Sequence, residues 1–146
     1  MILHRVTRIH APIGEVFAFF SDGNNLARIT PKKMRIQFVE LPRQMGAGAR
    51  VRYRVRVFGI PLNWTSRFTE WKENECFADA QERGPFRRFE HTHAFREVDG
   101  EVEMTDHVDY ELPFGRLGKY VAGWPVKREL ERLFDYRSKV IAEIFP

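Results

Sequence analysis

From Pro125 to Pro146 the chain repeats apolar residues at helical spacing, and this stretch constrains everything before it. Val126, Leu130, Leu133, Phe134, Val140, Ile141 and Ile144 fall on one face. Lys127, Arg128, Glu131, Arg132, Asp135, Ser138, Lys139 and Glu143 fall largely on the other. Pro125 suits a first helical position, where a missing N–H costs nothing. Such a helix, Pro125 to Phe145, is about 30 Å long, the width of a small domain. Its apolar stripe needs a partner surface of similar length. No second long helix is signalled upstream, so the partner has to be a sheet. Arg137 interrupts the stripe where an apolar residue is expected.

The upstream chain supplies that sheet. Ile2 to His10 reads as a first strand, ended by Ala11-Pro12. Pro12 to Ser21 reads as a short helix with Ile13, Val16, Phe17 and Phe20 at helical spacing. Ser21 to Asn25 is a turn cluster, and Leu26 to Thr30 a second short helix stopped by Pro31. This pair lacks the long basic second helix of a DNA reader. Strand signals then follow: Met34–Leu41, Ala49–Phe58, Leu62–Trp71, Cys76–Arg83, Phe86–Val98 and Glu101–Leu112. The Ala49–Phe58 segment alternates most cleanly, with Val51, Tyr53, Val55 and Val57 against Arg50, Arg52, Arg54 and Arg56. Gly59-Ile60-Pro61, Lys72–Glu75, Gly84-Pro85 and Asp99-Gly100 read as turns, the last a hairpin turn. Arg116 to Gly123 reads as a linker or first helical segment, kinked at Pro125. Hairpin after hairpin gives an antiparallel meander, and a helix laid on its apolar face gives a two-layer α+β fold. Seven long twisted strands curl, and a sheet curled around one helix leaves a space between them.

Composition limits what such a chain does. Its 146 residues suffice for one domain with a real core. One cysteine, Cys76, excludes an internal disulfide and a cysteine-rich zinc site; it reads as a small buried hydrophobe and is compatible with a reducing cytoplasm. No apolar run is long enough to span a membrane, and the N-terminus alternates instead of forming a signal-peptide core. The net charge of +4 is spread without any block of five like charges, so no nucleic-acid partner is expected. A positive rim favours acidic small ligands. Phosphate-binding Gly-Lys-Ser/Thr loops and nucleophile elbows are absent.

Chemistry gathers on two strands. Alternation puts Phe89, His91, His93 and Phe95 on one face, and Val102, Met104, Asp106, Val108 and Tyr110 on one face of the next strand. If both faces point inward, His91, His93 and Asp106 form a polar cluster in an apolar interior, within reach of Arg137. Four readings compete. The groups satisfy one another and tie helix to sheet. They form the polar end of an apolar ligand pocket. One histidine acts as acid or base, tuned by Asp106. Last, they hold a metal, which lacks an obvious fourth ligand; no metal or cofactor is assigned. Tyr53, Trp64, Phe68, Phe89 and Tyr110 are expected to wall the space, and Ala78 and Ala80 to help leave it hollow. Trp71 and Trp124 lie near element ends, where they can flank an entrance.

Three stretches carry a resemblance. Ala11-Pro12-Ile13-Gly14-Glu15-Val16-Phe17, running on to Asp22, resembles the first helix of the START/birch-pollen-allergen-like superfamily, SRPBCC. Gly84–His93 and Asp106–Gly115 resemble a bacterial ligand-binding subgroup, whose helix is matched by Leu133–Arg137. Some of that subgroup's relatives are fused to a nucleotide-sugar-epimerase-like domain. The resemblance covers the whole chain and implies a helix-grip fold. It implies binding of lipids, steroids, polyketides or quinones, with cyclases and hydrolases among the relatives.

The expectation is a helix-grip protein whose partner is a hydrophobic or aromatic small molecule. Its polar end comprises His91, His93, Asp106 and Arg137. An aromatic cyclase or hydrolase using His91 or His93, and a module that docks and regulates a protein partner, are the alternatives. A homodimer is left open.

Overall fold

The computed structural model describes residues 1–146. β1 (Ile2–Ile9) leads through Ala11-Pro12 into α1 (Ile13–Ser21) and the single turn α2 (Asn25–Arg28). A 3₁₀ turn over Lys32–Met34 precedes β2 (Gln37–Glu40), β3 (Arg50–Val57), β4 (Ile60–Lys72), β5 (Cys76–Arg83), β6 (Arg88–Val98), β7 (Glu101–Glu111) and α3 (Gly115–Ile144). The seven strands form one antiparallel sheet in the order β1-β7-β6-β5-β4-β3-β2. It curves around α3, and this is the helix-grip fold.

The sheet follows from alternation. On β7, Val102, Met104, Asp106, Val108 and Tyr110 are all buried, while the residues between them are more exposed. On β3 the arginines face water and Val51 and Val55 are buried. On α3, Leu130, Phe134 and Ile141 are buried against the sheet and the wedge of α1. The core has two parts. Ile9, Val16, Phe17, Phe77, Phe95 and Ile141 pack beneath α1, and Leu3, Val108, Tyr110, Leu130 and Phe134 pack near the middle of α3.

Several boundaries differ from expectation for physical reasons. Met34 belongs to the 3₁₀ turn, and β2 is only four residues long, because Arg35 takes a left-handed backbone (φ 45°) that ends any extended run. The β3–β4 turn is Phe58-Gly59, both at positive φ (53° and 76°), so Ile60 and Pro61 join the strand. Two successive positive φ values suit the right-handed twist of a tight hairpin. Asp99-Gly100 repeats that geometry at 52° and 78°. β6 begins at Arg88, since the Gln81 side chain clamps the backbone of Phe86 in the preceding bend through both its amide N–H (2.7 Å) and its carbonyl oxygen (3.1 Å).

The linker before Pro125 and the helix after it are one element of 30 residues. Pro125 therefore lies inside a helix and not at its start. The carbonyl its ring leaves without a donor is that of Val121, four residues earlier. Val121 is exposed, so water can meet it.

Candidate ligand cavity and its polar end

Between the sheet and α3 lies a cavity of about 450 Å³, lined by 37 residues of which 25 are hydrophobic. That size and lining fit a small-molecule site. β3 and β4 contribute Val51, Tyr53, Val55, Trp64, Ser66 and Phe68; β5 and β6 contribute Phe77, Asp79, Phe89, His91 and His93. α3 closes the space with Ala122, Val126, Glu129, Leu130, Leu133, Phe134 and Arg137. The α1–α2 wedge adds Phe20, Leu26 and Ile29. Lys33 Nζ reaches Glu129 at 2.9 Å and links the 3₁₀ turn to α3 beside the cavity.

Of the expected wall residues, Tyr53, Trp64, Phe68 and Phe89 line the cavity. Tyr53 and Trp64 are direct cross-strand partners whose rings stack 6.2 Å apart. Tyr110 does not line it. It is 1% exposed and sits behind the wall against Phe86 and Phe89. Asp106 also lies behind the wall, bordering instead a void of about 20 Å³ shared with Arg137 and Ser138. That is room for one water.

The expectation for β5 had the wrong phase. Phe77 and Asp79 face the interior, whereas Cys76, Ala78 and Ala80 occupy the opposite face. Small residues therefore do not make the space; Phe77, the one large apolar residue of β5, takes the inner face and carries Asp79 with it. Cys76 is half-buried, and burial raises its pKa. Trp71 does not flank an entrance: a register shift between Phe68 and Glu70 turns it inward onto Phe17 and Phe77. Trp124 is exposed and outside the cavity wall.

The polar end is built from three strands and the helix. Asp106 Oδ1 accepts a hydrogen bond from His91 Nε2 at 2.8 Å, with both groups buried. The same oxygen is 3.1 Å from His93 Nδ1, but poorly aligned, and that nitrogen is the buried side-chain atom left without a hydrogen bond. His93 Nε2 lies 3.8 Å from Asp79 Oδ1. The two imidazoles are 3.7 Å apart between centroids, and His93 stacks on Phe77 at 4.2 Å. Arg137 donates from Nε to the Ile29 carbonyl at 3.3 Å and lies over the Phe134 ring at 5.2 Å. It meets the cluster through the field and the shared void, with no ion pair within 4 Å.

Two stacked imidazoles cannot both hold a proton cheaply. Burial and the charge of His93 lower the pKa of His91, against the pull of Asp106. Burial also disfavours the charged form of His93, but Asp106 and Asp79 together outweigh it and raise that pKa. Burial pushes both carboxylates upward, yet their histidine neighbours hold Asp79 and Asp106 below the usual carboxylate range. Enclosure lowers Arg137 and raises Tyr53 relative to their ordinary values. Of the two imidazoles, His93 is therefore the one that holds a proton more readily, because it lies between two carboxylates.

Comparison with known proteins gives the same architecture. A family model described as polyketide cyclase / dehydrase and lipid transport matches residues 9–135. The Zhui aromatase/cyclase of Streptomyces sp. R1128 superposes with a TM-score of 0.74 at 19% identity, covering 97% of this chain and 90% of that one. A START superfamily protein of Mycobacterium smegmatis gives 0.71 at 13% identity, over 98% of each chain. Part of a nucleoside-diphosphate sugar epimerase of Corynebacterium glutamicum gives 0.71 at 20% identity, over 97% of this chain and 28% of that one. A search of curated protein sequences finds no match.

Proposed function

This chain belongs to the polyketide cyclase / dehydrase and lipid transport family, and from that premise we propose that it binds a hydrophobic or aromatic small molecule, of lipid, polyketide or quinone-like chemistry, between sheet and helix. One observation carries the reading: a mostly apolar cavity of about 450 Å³ with Asp79, His91 and His93 clustered in its wall. Covering each 100 Å² of apolar ligand surface gains roughly 2.5 kcal/mol before the cost of immobilising the ligand. Orientation would come from His93, Asp79 and Arg137 at the cavity wall. Residues 1–146 form one ligand-binding domain, and a lone Cys76 suits a reducing cytoplasm. Native mass spectrometry of protein isolated from its own host tests this. A co-purifying apolar molecule, released by Leu133→Trp, is the expected result; protein that neither carries nor takes up any apolar molecule overturns it.

A cyclase or hydrolase reading draws on a separate observation, two imidazoles 3.7 Å apart whose pKa values are shifted in opposite directions, His91 down and His93 up. Such a pair supplies base and acid side by side. A pH–rate profile that loses one limb in His91→Gln or His93→Gln would support catalysis.

The partner-module reading also has support. Leu117, Tyr120, Val121 and Trp124 form one stripe on α3, with Phe114 just before it, and all five are at least 67% exposed. Arg116, Lys119, Lys127 and Arg128 surround it, with no acidic residue from Leu112 to Arg128. That charge would repel a second copy and suits an acidic protein surface. Sedimentation velocity distinguishes the two: a dimer broken by Trp124→Glu would identify a second copy, and a monomer leaves the stripe to an acidic partner.

A further inference from the structure

Asp79, His91 and His93 each offer one ligand atom at the cavity wall, and the three atoms lie within 4.8 Å of one another. We propose that they form a binding site for a divalent transition-metal ion of the zinc class, with its open coordination position facing the apolar cavity. Asp79 is the ligand that alternation on β5 concealed, and it changes the standing of a metal in this fold.

The case rests on how Asp106 orients the rings. An ionised carboxylate only accepts hydrogen bonds, so His91 carries its proton on Nε2, toward Asp106. Its Nδ1 then presents a lone pair and has no hydrogen-bond partner in the protein. His93 turns Nδ1 toward Asp106, 3.1 Å away, and Nε2 toward Asp79, 3.8 Å away. A buried carboxylate set against one nitrogen of each of two imidazoles, leaving the other nitrogen of each ring turned away from it, is the arrangement that fixes histidine ligands on a metal. Two histidines and one carboxylate with an open position suit zinc and neighbouring ions.

An orphaned atom supports the same geometry. His93 Nδ1 is buried and misaligned for a hydrogen bond to Asp106. Ligand atoms around a tetrahedral ion with bonds of about 2.1 Å sit closer together than 4.8 Å. Drawing Nε2 toward Asp79 to close that gap swings the ring, which can bring Nδ1–H into line with Asp106. Metal binding would thus satisfy the nitrogen that the metal-free arrangement leaves unpaired.

Charge decides what fills the open position. Two carboxylates and the Arg137 guanidinium leave one negative charge when both imidazoles are neutral, so a divalent ion makes the cluster positive by one. An anionic oxygen, such as a carboxylate, phenolate or enolate, would restore neutrality there. The ion itself is bound by protein groups alone. Its test therefore needs no cavity ligand, and can fail or succeed independently of the function proposed above.

Chelator-stripped full-length protein is titrated with zinc by calorimetry and with cobalt by visible absorption. The expected result is one ion per chain, with a cobalt spectrum of four-coordinate type. Asp79→Asn and His93→Gln should each weaken binding by at least tenfold, and Asp106→Asn by roughly 10- to 100-fold through lost orientation. Circular dichroism melts establish that each variant is folded; if one is not, the remaining ligand variant and the wild-type cobalt spectrum decide. His4 and His107 form an exposed pair 5.8 Å apart that can hold an adventitious ion. His107→Gln should leave binding unchanged. No stoichiometric uptake, or uptake lost in His107→Gln and kept in Asp79→Asn, overturns the proposal.

Discussion

Asp79 on β5 and His91 on β6 are direct cross-strand partners, and both side chains reach the cavity. Diagonal to them, Asp106 on β7 faces His93. The register of three neighbouring strands thus places two carboxylates on either side of two imidazoles. A one-residue slip would turn these groups to the outer face of the sheet.

Removing Asp106 should expose how much the cluster depends on it. Asp106→Ala leaves His91 without its hydrogen-bond acceptor and His93 without a neighbouring carboxylate, both in a buried setting. Breaking a buried pair this way costs roughly 3–5 kcal/mol. Urea unfolding followed by tryptophan fluorescence measures it. Asp109→Ala, which breaks a surface contact with Arg88, is the control and should change little. Equal effects of the two substitutions would contradict the assigned burial.

Filling the cavity should separate binding from folding. Leu133 lines the cavity from α3 and is only half-buried. Leu133→Trp places added volume in space that is already open, so the melting temperature should hold or rise. Uptake of an apolar fluorescent probe should fall by about tenfold, equivalent to 1.4 kcal/mol. A large loss of stability with probe binding intact would show that the space is not available to ligands.

The pH dependence of stability carries opposite signs for the two histidines in metal-free protein. His93 has a folded pKa above its unfolded value near 6.5, so its contribution is complete below about pH 6.5. It is lost as pH rises through the folded value. His91 has a folded pKa below its unfolded one, so it subtracts stability as pH falls below about 6.5. The two aspartates contribute stability above about pH 4, which is lost as pH falls through their lowered folded values. Urea unfolding from pH 3 to 9, in chelator, should show wild-type stability declining above about pH 6.5. His93→Gln should flatten that decline. A decline that survives the substitution would assign it elsewhere.

Much of this was readable from the chain because period-2 alternation is rigid. The inner faces of β6 and β7 follow directly from Phe89-His91-His93-Phe95 and Val102-Met104-Asp106-Val108. Alternation does not say which of its two phases points inward, and on β5 the small residues suggested the wrong one. Phe77 was the available signal, since an aromatic residue gains more from burial than Ala78 does. Nor does alternation give depth. Asp106 and Tyr110 share a face with cavity residues but lie behind them, because β7 sits one strand further toward β1. The shift between Phe68 and Glu70 that turns Trp71 inward has no local sequence mark.

Pro125 offers a test of how α3 is held together. It lies inside a 30-residue helix, where proline costs about 3 kcal/mol relative to alanine in an exposed interior. Part of that cost is offset here, because the Val121 carbonyl is on the exposed side and because proline restricts the unfolded chain. Pro125→Ala restores an N–H that can reach Val121 and should therefore raise stability by roughly 1–3 kcal/mol. Pro125 does not line the cavity, although Ala122 and Val126 beside it do, so probe uptake should be kept. Urea unfolding and probe titration of the same variant check both points. A stabilised variant that loses probe uptake would show that the proline sets the helix's path over the cavity, and an unchanged one would show that the Val121 carbonyl is already fully satisfied.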